Sequence, residues 1–221
     1  MKSYPHHHKN YSIQFALTSK ILCFLGLFLF TTPIIFAQSS SEMISFDHSE
    51  DYFTLVGEES VAPLIISNKD YPGIAYIAGW FSKDIENVSG KKPALVFDEI
   101  PSVKEIVVIG TLGNNPVIDM LVAEKKIDVS AIEGKWEATQ IEVVENPFEN
   151  VEKAFVIVGS DKRGTIYGMF DISENIGVSP WYWWADVPIR KNNKIYVKPG
   201  RYTIGSPKVK YRGIFIKEWK D

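Results

Sequence analysis

Cysteine is nearly absent from this chain: Cys23 is the only one in 221 residues. It lies within an uncharged apolar run, ILCFLGLFLF, residues 21–30. No disulfide can staple the remainder, so any fold rests on its apolar core. Histidine is scarce as well. Three of the four, His6, His7 and His8, fall in the first 37 residues, and only His48 follows. One imidazole cannot build a Cys/His metal cluster, and no nucleophile–base set is visible beside it. The sequence therefore points to no metal, no cofactor and no catalytic residue that can be named. Acid–base chemistry would have to use carboxylates, as sugar hydrolysis does.

Long hydrophobic runs are also lacking, apart from the one near the start. Lys2, Lys9 and Lys20 precede it, TTPIIFAQ follows, and Ala37 offers a small residue at the cut. A basic start, an apolar centre and a small residue at the end make the layout of a secretory signal peptide. The stretch from Ile21 to Phe36 is short for a bilayer span and contains Pro33. Cys23 sits inside the run rather than at its end, which argues against a lipid anchor. Residues 1–37 are thus expected to be a leader, and the rest secreted or periplasmic with no stable membrane anchor once the leader is cleaved. Removing three Lys and no acid leaves 21 Lys and Arg against 27 Asp and Glu, a balance of −6. Phosphate backbones need a basic face, so no nucleic-acid partner is expected. Oligomeric state is not fixed by any of these features.

What is present is an ordinary globular balance, 45% hydrophobic and 23% charged, which excludes a disordered chain. Residues 38–45 read as a linker, with QSSSE at its head. Residues 46–205 form one domain in which two periods alternate. DYFTLVG and VAPLIIS read as strands. Ile74, Ile77, Ala78, Phe81, Ile85 and Val88 recur at helical steps, and Gly90 and Pro93 stop that helix. ALVFD and EIVVIGTL are strands, the second apolar enough to be covered on both faces. Asn115 and Pro116 open a second helix. WEATQIEVVE and KAFVIVG are further strands, the latter central. Ser160 or Asp161 caps a third helix whose apolar face is Ile166, Met169, Phe170, Ile172 and Ile176, ending at Gly177. Three short strand-like runs follow residue 192. The order predicts an α/β (α+β) fold with a mixed sheet and helices on one or both faces.

Four passages invite chemistry. GSDKRGT, 159–165, has the two glycines of a phosphate loop, but Thr165 stands where the phosphate-gripping Lys is needed. A capping Asp161, with Gly164 and Gly168 letting the helix approach the sheet, explains it better. Lys162 and Arg163 could clamp an anionic sugar, although such residues more often form surface ion pairs. VIGTLGN, 108–114, is a tight turn between strand and helix. VSPWYWWADVP, 178–188, carries the most information. Its aromatics could plug a core, stack on a sugar or join two domains; composition alone favours packing, since large aromatics are usually buried.

VIVGSDKRGTIYGMFDISENIGVSPWYWWADVPI, 156–189, followed by SPKVKYRGIFI, 206–216, resembles glycoside hydrolase family 115, the xylan α-1,2-glucuronidases. The resemblance implies an N-terminal accessory α/β domain followed by a (β/α)8 barrel, with YRGIFI as the first barrel strand. Lys217 and Glu218 stand where the family has Asn and Asp, and the chain then stops, so residues 206–221 are expected to be the start of a truncated barrel. The implied reaction is inverting hydrolysis of glucuronic acid or its 4-O-methyl ether from xylan, by two carboxyl groups spaced to hold a water. Those groups would lie in the barrel, so none is assigned here and the chain alone is expected to be inactive. The implied partner is a glucuronoxylan-type polysaccharide or oligosaccharide. In this frame the aromatic cluster becomes the passage from accessory domain to barrel. Trp183, Trp184, Asp186 and Arg163 are the expected substrate-binding residues. A non-catalytic carbohydrate-binding module is the alternative.

Overall fold

The structure, a computed structural model, describes residues 43–213. The expected leader, most of the expected linker and the end of the expected barrel strand lie outside them. The described residues belong to one compact unit. Among the described residues nine strands and four helices run in chain order: β1 (Ile44–Ser45), β2 (Phe53–Val56), β3 (Leu64–Ile66), α1 (Pro72–Ser89), β4 (Leu95–Phe97), β5 (Glu105–Thr111), α2 (Pro116–Ala123), β6 (Thr139–Phe148), β7 (Val151–Gly159), α3 (Lys162–Ile176), α4 (Tyr182–Ala185), β8 (Ile195–Val197) and β9 (Arg201–Ile204).

The main sheet has the order β4-β3-β5-β7-β6-β9. Its first four strands are parallel, while β6 runs antiparallel to both β7 and β9. The mixed α/β expectation holds, and β7 is central as expected. The near-continuous apolar runs of β5 and β7 have a direct cause. Val107, Ile109, Phe155 and Ile157 point into one core, and Ile106, Val108, Val156 and Val158 into another. Helices α1 and α3 cover the first face and α2 the second. A strand in that position has no solvent side on which to place polar residues.

Helix boundaries follow local chemistry. Asn115 caps α2 by accepting from Val117 N at 3.0 Å and Ile118 N at 3.3 Å, with Pro116 in the first turn. Asp161 caps α3 by accepting from Gly164 N at 2.8 Å. Gly90 ends α1 at φ 79°, the left-handed conformation glycine adopts without a Cβ penalty. Gly164 and Gly168 face the sheet, where a Cβ would lie 2.2 Å from Ala138 O and 2.6 Å from Thr139 Cγ2 respectively. The glycines therefore set how closely α3 approaches β6.

Three features depart from the sequence reading. A second sheet, order β1-β8-β2, buries Met43 and Ile44, residues placed in the linker. Phe170 is 47% exposed rather than on the core face of α3; the buried residues of that helix are instead Gly164, Thr165, Gly168, Met169, Ile172, Ser173 and Ile176, with Gly164 and Gly168 seated against the sheet. The third late strand does not form where it can be seen: residues 207–213 carry no strand, and 214–216 lie outside the described residues. Among the described residues no helix is long and apolar enough to cross a membrane.

Candidate functional site

Helices α1 and α3 lie side by side, and the turn after α3 carries the chain into α4. Between these three elements is a groove of about 610 Å³. Its walls are aromatic: Trp80 from α1, Tyr167 and Phe170 from α3, and Trp183 from α4. Trp80 and Trp183 meet edge to face, with ring centroids 5.8 Å apart and planes at 80°. Tyr182 stacks edge-on behind Trp183 at 5.2 Å, and Tyr76 behind Trp80 at 6.4 Å. This chain of perpendicular rings fixes Trp183 although α4 has only one turn and buries no residue.

The polar part of the groove is acidic. Asp84 comes from α1, Asp171 and Glu174 from α3. Burial raises the Asp84 carboxyl above the ordinary aspartate range. Ser173 Oγ beneath it lacks a hydrogen bond of good geometry, yet it is close enough to oppose that rise. No Lys or Arg lines this groove among the described residues.

A second hollow, about 520 Å³, lies at the N-terminal end of α3 and has the opposite character. Lys162, Arg163 and Lys210 line it with Tyr71, Trp136 and Tyr211. At its base Glu137, 5% exposed, is gripped by Arg163 at 2.8 Å and by Arg212. Those guanidinium groups, Arg163 first, hold the Glu137 carboxyl below its usual range. The cover over Glu137 is thin, since Arg163 is 63% exposed. Lys162 stands 5.8 Å over the Tyr71 ring and Arg212 6.0 Å over Trp136. The phosphate-loop reading of GSDKRGT finds no support in this geometry. Asp161 already accepts from Gly164 N and Glu137 N, and Thr165 is buried, bonded to Gly110 O and Thr111 Oγ1. A phosphate would meet a carboxylate where it needs free N–H groups.

The expected substrate-binding residues are therefore dispersed. Trp183 lines the acidic groove. Arg163 belongs to the cationic hollow and is tied to Glu137. Trp184 is 84% exposed and outside both. Asp186 is exposed at the end of α4 in the left-handed region, φ 50° and ψ 32°. The packing expected of the cluster from composition is not met among the described residues, where Trp181 and Trp183 are 64% and 70% exposed. His48 packs edge-on against Tyr196 at 5.3 Å. Trp80 and Asp84 were missed by the sequence reading. The available signal was their position off the apolar stripe of α1, where a Trp has no core reason to stand.

No family model matches this chain, and no curated protein matches its sequence. Among solved structures, a family GH115 4-O-methyl-α-glucuronidase, BtGH115A, with specificity for decorated arabinogalactans, is similar at 32% identity and TM-score 0.56. The match covers 74% of this chain and 20% of that one. CpGH84D is also similar, at 11% identity and TM-score 0.39 over 76% of this chain and 23% of that one, too distant to carry an argument. Over about three quarters of its length, then, this chain is a region like that of glycoside hydrolase family 115, spanning a fifth of the solved relative.

Proposed function

We propose that the chain is the accessory α/β region of a secreted or periplasmic glycoside hydrolase of family 115 type, acting in hemicellulose breakdown on glucuronoxylan-type polysaccharide. By itself it does not hydrolyse. The observation that carries this reading is 32% identity across 74% of the chain to a fifth of a glucuronidase. In this reading the catalytic carboxylates belong to a barrel rather than to these residues, as the family resemblance implies. The exposed Trp181 and Trp184 then form the face against which the rest of such an enzyme packs; exposed aromatic patches of this kind usually mark contact surfaces.

The test is an assay of the full chain for release of glucuronic acid or its 4-O-methyl ether from glucuronoxylan and from decorated arabinogalactan. No release above background is expected, and sustained turnover overturns the inactivity claim. Export is checked by expression in a bacterial host with N-terminal sequencing of the exported product, expected to begin at Gln38. A second reading, a carbohydrate-binding region, is favoured by Trp183 and Trp80 at the walls of an open groove.

A further inference from the structure

We infer that the groove between α1, α3 and α4 is a subsite for an uncharged, hydroxyl-rich sugar residue, with Trp80 and Trp183 as its platform and Asp84 and Glu174 as hydroxyl acceptors. This rests on the carbohydrate-binding reading above and narrows it to one place and one ligand class.

The first support is shape. Trp80 and Trp183 are 40% and 70% exposed, and their planes stand at 80° to each other. One ring offers a face to the apolar C–H side of a sugar while the other walls its edge. Tyr76 and Tyr182 back the two indoles, so the pair is held before any ligand arrives. The volume of about 610 Å³ is in the range of small-molecule sites, roughly 300–1,000 Å³.

The second support is polar chemistry. Ionised carboxylates only accept hydrogen bonds, and sugar hydroxyls are donors in need of acceptors. Ser173 Oγ, on a residue 3% exposed, adds a hydroxyl without a well-formed bond on the same side. An apolar protein surface placed here would cut the Asp84 and Glu174 carboxylates off from water, which is costly; sugar hydroxyls replace that water.

The third support is charge. Three acids and no base line the groove among the described residues, so a uronate carboxylate would be repelled. The cationic hollow with Lys162, Arg163 and Lys210 lies elsewhere. The groove therefore selects the neutral residues of a polysaccharide over its acidic ones.

Calorimetric titration of the full chain tests this, with galactotriose and xylotriose as neutral probes and a glucuronic-acid-bearing xylotriose as the charged one. The neutral probes are expected to bind at least tenfold more tightly than the charged one. Trp183→Ala and Trp80→Ala each lower that affinity at least tenfold with unchanged circular dichroism, and Trp183→Tyr keeps most of it. Asp84→Asn, which retains an acceptor, loses less than Asp84→Ala. Binding of a neutral probe that survives both Trp variants but falls with Arg163→Ala overturns the subsite and leaves the carbohydrate-binding reading standing. Absence of binding by every probe and by glucuronoxylan overturns both.

Discussion

Replacing Gly168 by alanine measures how tightly α3 is seated on the sheet. A Cβ there would lie 2.6 Å from Thr139 Cγ2 and 2.8 Å from Ile157 Cγ2. Both neighbours are fully buried β-branched side chains on paired strands. Thr139 is further fixed because its hydroxyl donates to Gly164 O. Neither methyl can swing away, so α3 must lift or a strand must shift, an overpacking cost of about 1–3 kcal/mol. Against this stands the better helix propensity of alanine, about 1 kcal/mol. Taking the middle of the overpacking range, about 2 kcal/mol, the balance is a loss of about 1 kcal/mol. Gly79 in the middle of α1 is the control, because a Cβ there meets nothing within 4 Å. Gly79→Ala should therefore gain about 0.5–1 kcal/mol from propensity alone. Urea unfolding of the full chain, followed by tryptophan fluorescence, reads both through the midpoint at constant slope. Midpoints that move in opposite directions are expected. A Gly168→Ala protein as stable as the parent, or two variants that shift alike, would refute the close-approach argument.

Three further outcomes follow from the same geometry. Asp161→Ala removes the acceptor for Gly164 N and Glu137 N and should cost about 1–2 kcal/mol in urea unfolding, with Asp161→Ser recovering part of it. Glu137, held below its usual range by Arg163 and then Arg212, contributes stability above the ordinary carboxylate value of 4.5 and loses it as pH falls through its depressed folded value. Glu137→Gln should flatten that acid limb of the unfolding midpoint, and an unchanged limb would count against the ion cluster. Asp84 has the opposite sign. Its raised carboxyl binds protons more readily folded than unfolded, so its ionisation destabilises the fold as pH rises through the window above 3.8. Asp84→Asn should be the more stable protein at neutral pH, and the difference should vanish below that window.

Much of the fold was legible because local signals agreed with tertiary demands. The 3.6-residue pattern from Ile74 to Val88 named the buried face of α1, five of whose six apolar positions are buried. Asn115 with Pro116 and Asp161 with Gly164 marked helix starts through bonds that need only three or four residues to specify. The smaller sheet was legible only in part: β2 and β8 fall on runs read as strands, but β1 does not. Strand β1 has two residues, too few for any period, and its partner β8 lies about 150 residues downstream. Phe170 misled for a different reason. Apolar spacing cannot show which side of α3 meets the sheet: Gly164 and Gly168 lie against Ala138, Thr139 and Ile157, whereas Phe170 lines the groove between α1 and α3.

The aromatic cluster shows where composition stops being an argument. Burial of Trp is a tendency of residue type, but burial requires a partner surface, and only the geometry says whether one is present. In VSPWYWWADVP the single turn of α4 spreads its indoles apart. Trp183 turns toward Trp80 and closes one wall of an acidic groove, whereas Trp181 and Trp184 stay largely exposed among the described residues. One short stretch thus serves two surfaces. Trp183, bracketed by other rings, is pre-organised for a small ligand. Trp184, 84% exposed, gains most from a broad apolar partner. The two roles separate by substitution: loss of Trp184 should leave sugar affinity at the groove intact, and loss of Trp183 should abolish it.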